Sequence, residues 1–177
     1  MKLTKTISIV LFALLLSFTL ISCKNEALTK PSAEHLAFEK AEKELSDNLK
    51  MFETIWDDII NKGEIDKINE ANFDTNITSI VSPENVAGIK GFKQYYQNYL
   101  TGFSDITFTL VDVFGQVDKI VKHWNFKGTH TGDFFGIPAT GKKVDIDGVT
   151  LVRMKDGKIA QEQDFMNNLL FNQKLGF

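Results

Sequence analysis

In two long stretches between Leu45 and Phe103 the apolar residues of this chain recur every third or fourth position; from Ile106 onward they recur every second. A period of 3.6 belongs to a helix that buries one stripe, and a period of two to a strand that buries one face. The early stretch is explicit: Leu45, Leu49, Phe52, Trp56 and Ile59 are spaced 4, 3, 4 and 3, which places them on one helix face. Asn61-Lys62-Gly63 then reads as a helix stop. The spacing predicts a short second helix over Glu64 to Asn72, with Ile65 and Ile68 inward. It predicts a strand over Asn76 to Val81, and a third helix over Ile89 to Phe103 with Phe92, Tyr95, Tyr96 and Tyr99 along one side. Beyond Ile106 come strands over Val117 to Thr131, Lys143 to Met154 and Lys158 to Met166, the last two joined by the hairpin turn Asp156-Gly157. Asn167 to Leu175 reads as a closing helical turn. Helices first and long consecutive strands after them define an α+β chain. A strongly bent sheet curling over the helices would leave a pocket on its concave face.

The N-terminus has a different logic. Lys2 and Lys5 precede an almost unbroken apolar run from Ile7 to Ile21. That run is short for a membrane span, which takes roughly 20 residues, and has the layout of a secretory signal. Leu20-Ile21-Ser22-Cys23 resembles the bacterial lipobox, which implies cleavage before Cys23 and lipidation of its thiol. Cys23 is the single cysteine, so a disulfide within the chain is excluded. The alternative is an uncleaved anchor helix. We therefore expect a lipoprotein signal peptide over 1–22, a lipidated Cys23 with a flexible tether over 23–34, and one domain over 35–177. Ser32 is placed to cap the first helix. The implied localisation is the bacterial cell envelope, with a membrane contact made through the lipid.

Removing Lys2 and Lys5 leaves 18 basic against 23 acidic side chains, a formal charge of −5. With no basic stripe and no aromatics interleaved with arginine, a nucleic-acid partner is not expected. The 15 phenylalanines suit a core or an apolar pocket.

Several segments invite a chemical reading. Gly136-Ile137-Pro138-Ala139-Thr140-Gly141-Lys142-Lys143 nearly matches a phosphate-binding loop. It ends in Lys143 instead of Ser or Thr, and a strand follows where a helix is needed. His35, His123 and His130 do not cluster, so no metal site is expected. Imidazole titrates near neutral pH, which makes His123 and His130 acid/base candidates. They lie seven apart on one strand and so point to opposite faces; His130 reads better as a hydrogen bonder that shapes its loop. Glu162 and Asp164 are two apart on the last strand and share a face, roughly 6–7 Å apart. If that face lines an apolar pocket, desolvation raises a carboxyl pKa, as acid/base work requires. The other reading has both facing water with Lys158.

The ordered series Gly128-Thr129-His130-Thr131-Gly132, Phe134, Gly136-Ile137-Pro138-Ala139-Thr140-Gly141-Lys142, Arg153, Asp156-Gly157-Lys158-Ile159, Asp164 and Leu175-Gly176 resembles the SnoaL-like polyketide cyclases, also called ester cyclases. Trp56 with Asn61-Lys62-Gly63, and Gly91-Phe92, extend the resemblance over about 45–176. It implies a nuclear transport factor 2-like (NTF2-like) fold: a curved antiparallel sheet forming a cone-shaped half-barrel, with N-terminal helices closing a deep apolar pocket. It implies acid/base chemistry without cofactor or metal, in an intramolecular aldol ring closure, with Asp164 as the catalytic group. The family's partner histidine falls at Thr150, its tryptophan before the acidic residue at Gln163, and its later aspartate at Asn167. The expectation is thus a cyclase- or isomerase-like protein taking a small apolar or carbonyl-containing ligand, with Thr150, His123, Trp124 and Glu162 around it. The alternative is a non-catalytic ligand-binding or interaction module on the same fold. A homodimer through the sheet faces is compatible with either, and exposed Trp124 and Phe126 would support it.

Overall fold

The computed structural model describes residues 31–177. The expected signal segment over 1–22 and the expected lipid attachment at Cys23 lie outside the described residues. Contacts divide the chain into two units, Met1–Glu39 and Lys40–Phe177. In the first unit, the Ser32 hydroxyl accepts a hydrogen bond from the His35 amide at 3.1 Å, as expected of a helix cap.

Helix α1 runs Ala33–Trp56 and buries Phe52, Ile55 and Trp56. It ends in a wider π turn, Asp57–Asn61. The Asn61 side chain explains where that turn is held. Its Oδ1 accepts from the Phe108 amide at 2.7 Å and its Nδ2 donates to the Phe108 carbonyl at 2.8 Å, tying the helix end to a strand.

The helix predicted over Glu64 to Asn72 is only a 3₁₀ turn, Ile65–Lys67. Asn69 stops it: its amide donates to the Asp66 carbonyl and its Oδ1 accepts from the Ala71 amide. Short polar side chains compete with a helix by bonding the nearby backbone in this way. Ile68 is nonetheless buried, as its spacing requires. The first strand, β1, is Phe73–Ser79, three residues earlier than its predicted start, with Phe73 and Ile77 buried. A short β2, Val86–Ala87, leads into α2, Gly88–Gly102.

Three long strands follow: β3 Phe103–Gln116, β4 Lys119–His130 and β5 Lys143–Lys155. Strand β6, Lys158–Met166, and helix α3, Asn168–Leu175, complete the chain. Asp156 and Gly157 both take positive φ, 50° and 72°, the geometry that matches a two-residue hairpin to strand twist. The six strands form one curved, unclosed sheet in the order β2-β1-β6-β5-β4-β3. All pairs are antiparallel except β1 with β6, so the sheet is mixed.

Strand β4 alternates strictly. Ile120, Lys122, Trp124, Phe126 and His130 are buried on one face, while Val121, His123 and Asn125 lie on the other. Trp124 and Phe126 therefore face inward, and the outer-face position that would have supported a sheet-to-sheet dimer is not theirs. Two apolar clusters form behind this face. One joins Phe52, Trp56, Phe73, Phe92, Tyr96 and Ile159; the other joins Phe103, Trp124, Phe126, Phe134, Phe171 and Leu175. Each fully buried side chain of this size contributes roughly 1.5–3 kcal/mol.

Candidate active site

A pocket opens where the two clusters meet. It is lined by Trp56, Ile60, Tyr96, Tyr99, Phe108, Lys122, Trp124, Phe126, Ile146, Asp164 and Met166, with about 470 Å³ of atom-free space including its mouth. The wall is almost wholly apolar or aromatic. Two ionisable side chains reach it: Asp164 from β6 and Lys122 from β4. Small-molecule sites have this character, an apolar cleft with a few placed polar groups.

Asp164 is held from the neighbouring strand. Its Cα partner in the β5–β6 register is Thr150, whose hydroxyl donates to Asp164 Oδ1. Thr150 Oγ1 in turn accepts from Trp124 Nε1 at 2.9 Å. Three strands thus supply a relay, Trp124 to Thr150 to Asp164, that aims the carboxylate. Thr150 is fully buried and is not part of the pocket wall, so it acts on Asp164 from behind. Gly148 makes room for the indole: a Cβ there would lie 2.2 Å from Trp124 Cζ2, far inside contact distance.

Glu162 occupies a different environment from its neighbour two residues on. It is fully buried, accepts from the Tyr96 hydroxyl at 2.9 Å, and faces Lys122 Nζ at 3.5 Å. Burial pushes its carboxyl from 4.5 up to about 7; the Lys122 ammonium opposes this, and the Asp164 charge adds to it. Burial also raises the Tyr96 and Tyr99 phenols well above their ordinary range, so both stay protonated donors at neutral pH.

Of the residues singled out from sequence, Asp164, Thr150, Trp124 and Glu162 come together on one side of the sheet. His123 does not. It lies on the opposite face of β4 from Trp124, with Nε2 3.9 Å from Asp147 Oδ1, and is no part of the pocket wall. Strand alternation is the physical reason. His130 is fully buried, with Nδ1 3.1 Å from Thr140 Oγ1 and its ring 5.2 Å from that of Phe103. It braces the loop that runs from Gly128 to Lys142 and lines no part of the pocket. Strand β5 begins at Lys143, so no helix follows the near phosphate-loop motif.

Two residues of the site escape the sequence reading, Lys122 and Tyr96. Lys122 carried a signal: it stands at an inward position of β4, between Ile120 and Trp124, where period two calls for an apolar residue. Tyr96 was placed on the right helix face, but its contact spans 66 residues of sequence and has no local mark. Among the described residues no group of three or more His, Cys, Asp or Glu side chains could hold a metal ion.

Solved structures share this fold. TsrD from Streptomyces laurentii aligns at 23% identity over 76% of this chain and 96% of its own, with a TM-score of 0.63. A SnoaL-like polyketide cyclase from Agrobacterium tumefaciens aligns at 15% identity over 71% of this chain and 95% of its own, with a TM-score of 0.58. An NTF2-like protein from Burkholderia xenovorans gives 11% identity, 75% and 98% coverage, and a TM-score of 0.59. At such identities the likeness carries the fold, and the fold is of the NTF2-like class. The family is set by sequence: the model of the SnoaL-like polyketide cyclases matches residues 50–175, and the chain belongs to that family. No curated protein matches the chain.

Proposed function

We propose that this SnoaL-like domain takes a small, mostly apolar carbonyl compound into the pocket and moves a proton on the carbon beside the carbonyl. Asp164 is the base that accepts the proton and the acid that returns it. The chemistry is of the aldol cyclase or isomerase kind and draws on no cofactor. The observation that carries this reading is the Trp124–Thr150–Asp164 relay, which fixes one carboxylate against an apolar wall. A base held in one orientation meets a bound C–H at a defined angle, and positioning of that kind supplies much of a rate enhancement. Thr150 orients Asp164 where the family resemblance places a histidine. We further propose that the chain is an envelope lipoprotein held on its membrane through Cys23, so that the pocket works at a lipid surface, where apolar ligands concentrate.

The test is to purify the full chain without its lipid, as the Cys23→Ser variant, and to identify by native mass spectrometry what co-purifies. The expected result is an apolar molecule bearing a carbonyl group, retained by the native pocket and turned over in a reaction that the Asp164→Asn variant does not support. A bound compound without an enolisable carbonyl would favour the ligand-binding module instead.

A further inference from the structure

Lys122 is an expensive residue to place where it stands. Only 2% of its side chain is exposed, and burying an ammonium costs several kcal/mol unless it is well paired. Its pairing is loose. Nζ lies 3.5 Å from Glu162 Oε1, where a charge-assisted bond closes to about 2.7–2.9 Å. Its remaining support comes from aromatic faces, with the Trp56 ring centroid at 3.9 Å and those of Phe52 and Phe108 at 5.3 Å and 5.8 Å. An ammonium offers three donors, and Glu162 Oε1 is the one hydrogen-bond acceptor of Nζ among the described residues. A purely structural ion pair would be expected to close up and lie behind the wall; Lys122 is in the wall, in the same pocket as Asp164.

We propose that Lys122 is the oxyanion donor of this pocket, receiving the oxygen of an enolisable ketone whose α C–H faces Asp164. This rests on the reading of the pocket as a carbonyl site. The step balances within the site. The Asp164 carboxylate takes the proton from carbon, the C–H electron pair becomes the C=C bond, and the carbonyl pair moves onto oxygen. Negative charge leaves Asp164 and arrives beside the Lys122 ammonium. A donor aimed at charge that develops only during the reaction favours the transition state over the bound ketone. Glu162, held by the Tyr96 hydroxyl, faces the ammonium and is its counter-ion once the Glu162 carboxyl has ionised, above about pH 7. The ligand class follows: an apolar ketone with an acidic α-hydrogen, with one polar end toward β4.

The test uses para-nitrophenol as the enolate stand-in, because absorbance reports its ionisation directly. It is bound to the Asp164→Asn protein, which mimics the site after proton transfer. The expected result is a phenol bound as the phenolate, its acid constant raised at least tenfold over that in water. In D164N/K122M the raised constant is lost, because an apolar pocket without the ammonium favours the neutral phenol. If that variant fails to fold, D164N/K122M/E162Q removes both buried charges together and carries the same comparison. Phenolate bound equally well without Lys122 overturns the donor role and leaves the part given to Asp164 standing. No phenol binding to the Asp164→Asn protein at millimolar concentration overturns both.

Discussion

Thr150 and Asp164 face each other directly across the β5–β6 register, and the threonine hydroxyl donates to the aspartate while accepting from Trp124 at 2.9 Å. Removing that hydroxyl strands two groups at once, a buried indole N–H and a carboxylate oxygen. The Thr150→Val variant is expected to lose about 1–3 kcal/mol, the usual cost of leaving a buried polar group unpaired. Thr150→Ser, which keeps the hydroxyl, is expected to lose much less. Urea midpoints of the two variants against the native protein check this.

Much of this site is legible in the sequence, and the reasons are specific. Period two places Glu162 and Asp164 on one face of β6, and the family motif singles out Asp164. The same rule separates His123 from Trp124 and so removes His123 from the site. Lys122 shows only as an exception to the pattern, and an exception does not say what pays for its burial. The Tyr96–Glu162 bond joins α2 to β6 across 66 residues and is fixed by how the helix packs on the sheet. In the fold, Asn69 ends a helix that apolar spacing alone would have continued. The parallel pairing of β1 with β6 also has no local signature, because strand direction is decided by the connection and not by the strand.

Gly148 is required by the indole beside it. In the Gly148→Ala variant the new methyl would sit 2.2 Å from Trp124 Cζ2 and 2.6 Å from Cη2, so the ring must move. Its bond to Thr150 then breaks, and overpacking adds a cost of about 1–3 kcal/mol. A lowered melting temperature together with a changed tryptophan emission spectrum is expected. Native values for both would show that the indole is not confined as described.

Glu162 gives stability a pH dependence of definite sign. The folded protein holds this proton up to about pH 7, the unfolded chain only up to 4.5. Between those values the folded state binds more protons, so stability is greatest below the window, falls as pH rises through it, and levels off above 7. The contribution is on the order of 3 kcal/mol. Carboxylates with lowered values, such as Asp74 and Asp145, act with the opposite sign and below this window. Denaturation curves from pH 4.5 to 8 should show the fall in the native protein and a flatter profile in Glu162→Gln.

The most direct measurement of the central claim is α-hydrogen exchange in heavy water, followed by proton NMR on β-tetralone, an apolar ketone with acidic α-hydrogens. The native protein is expected to accelerate loss of the α-hydrogen signal over buffer at the same pH, and the Asp164→Asn protein to return it to the buffer rate while keeping the native circular dichroism. Equal rates for the two proteins, or no acceleration by either, would contradict the assignment of Asp164 as the base.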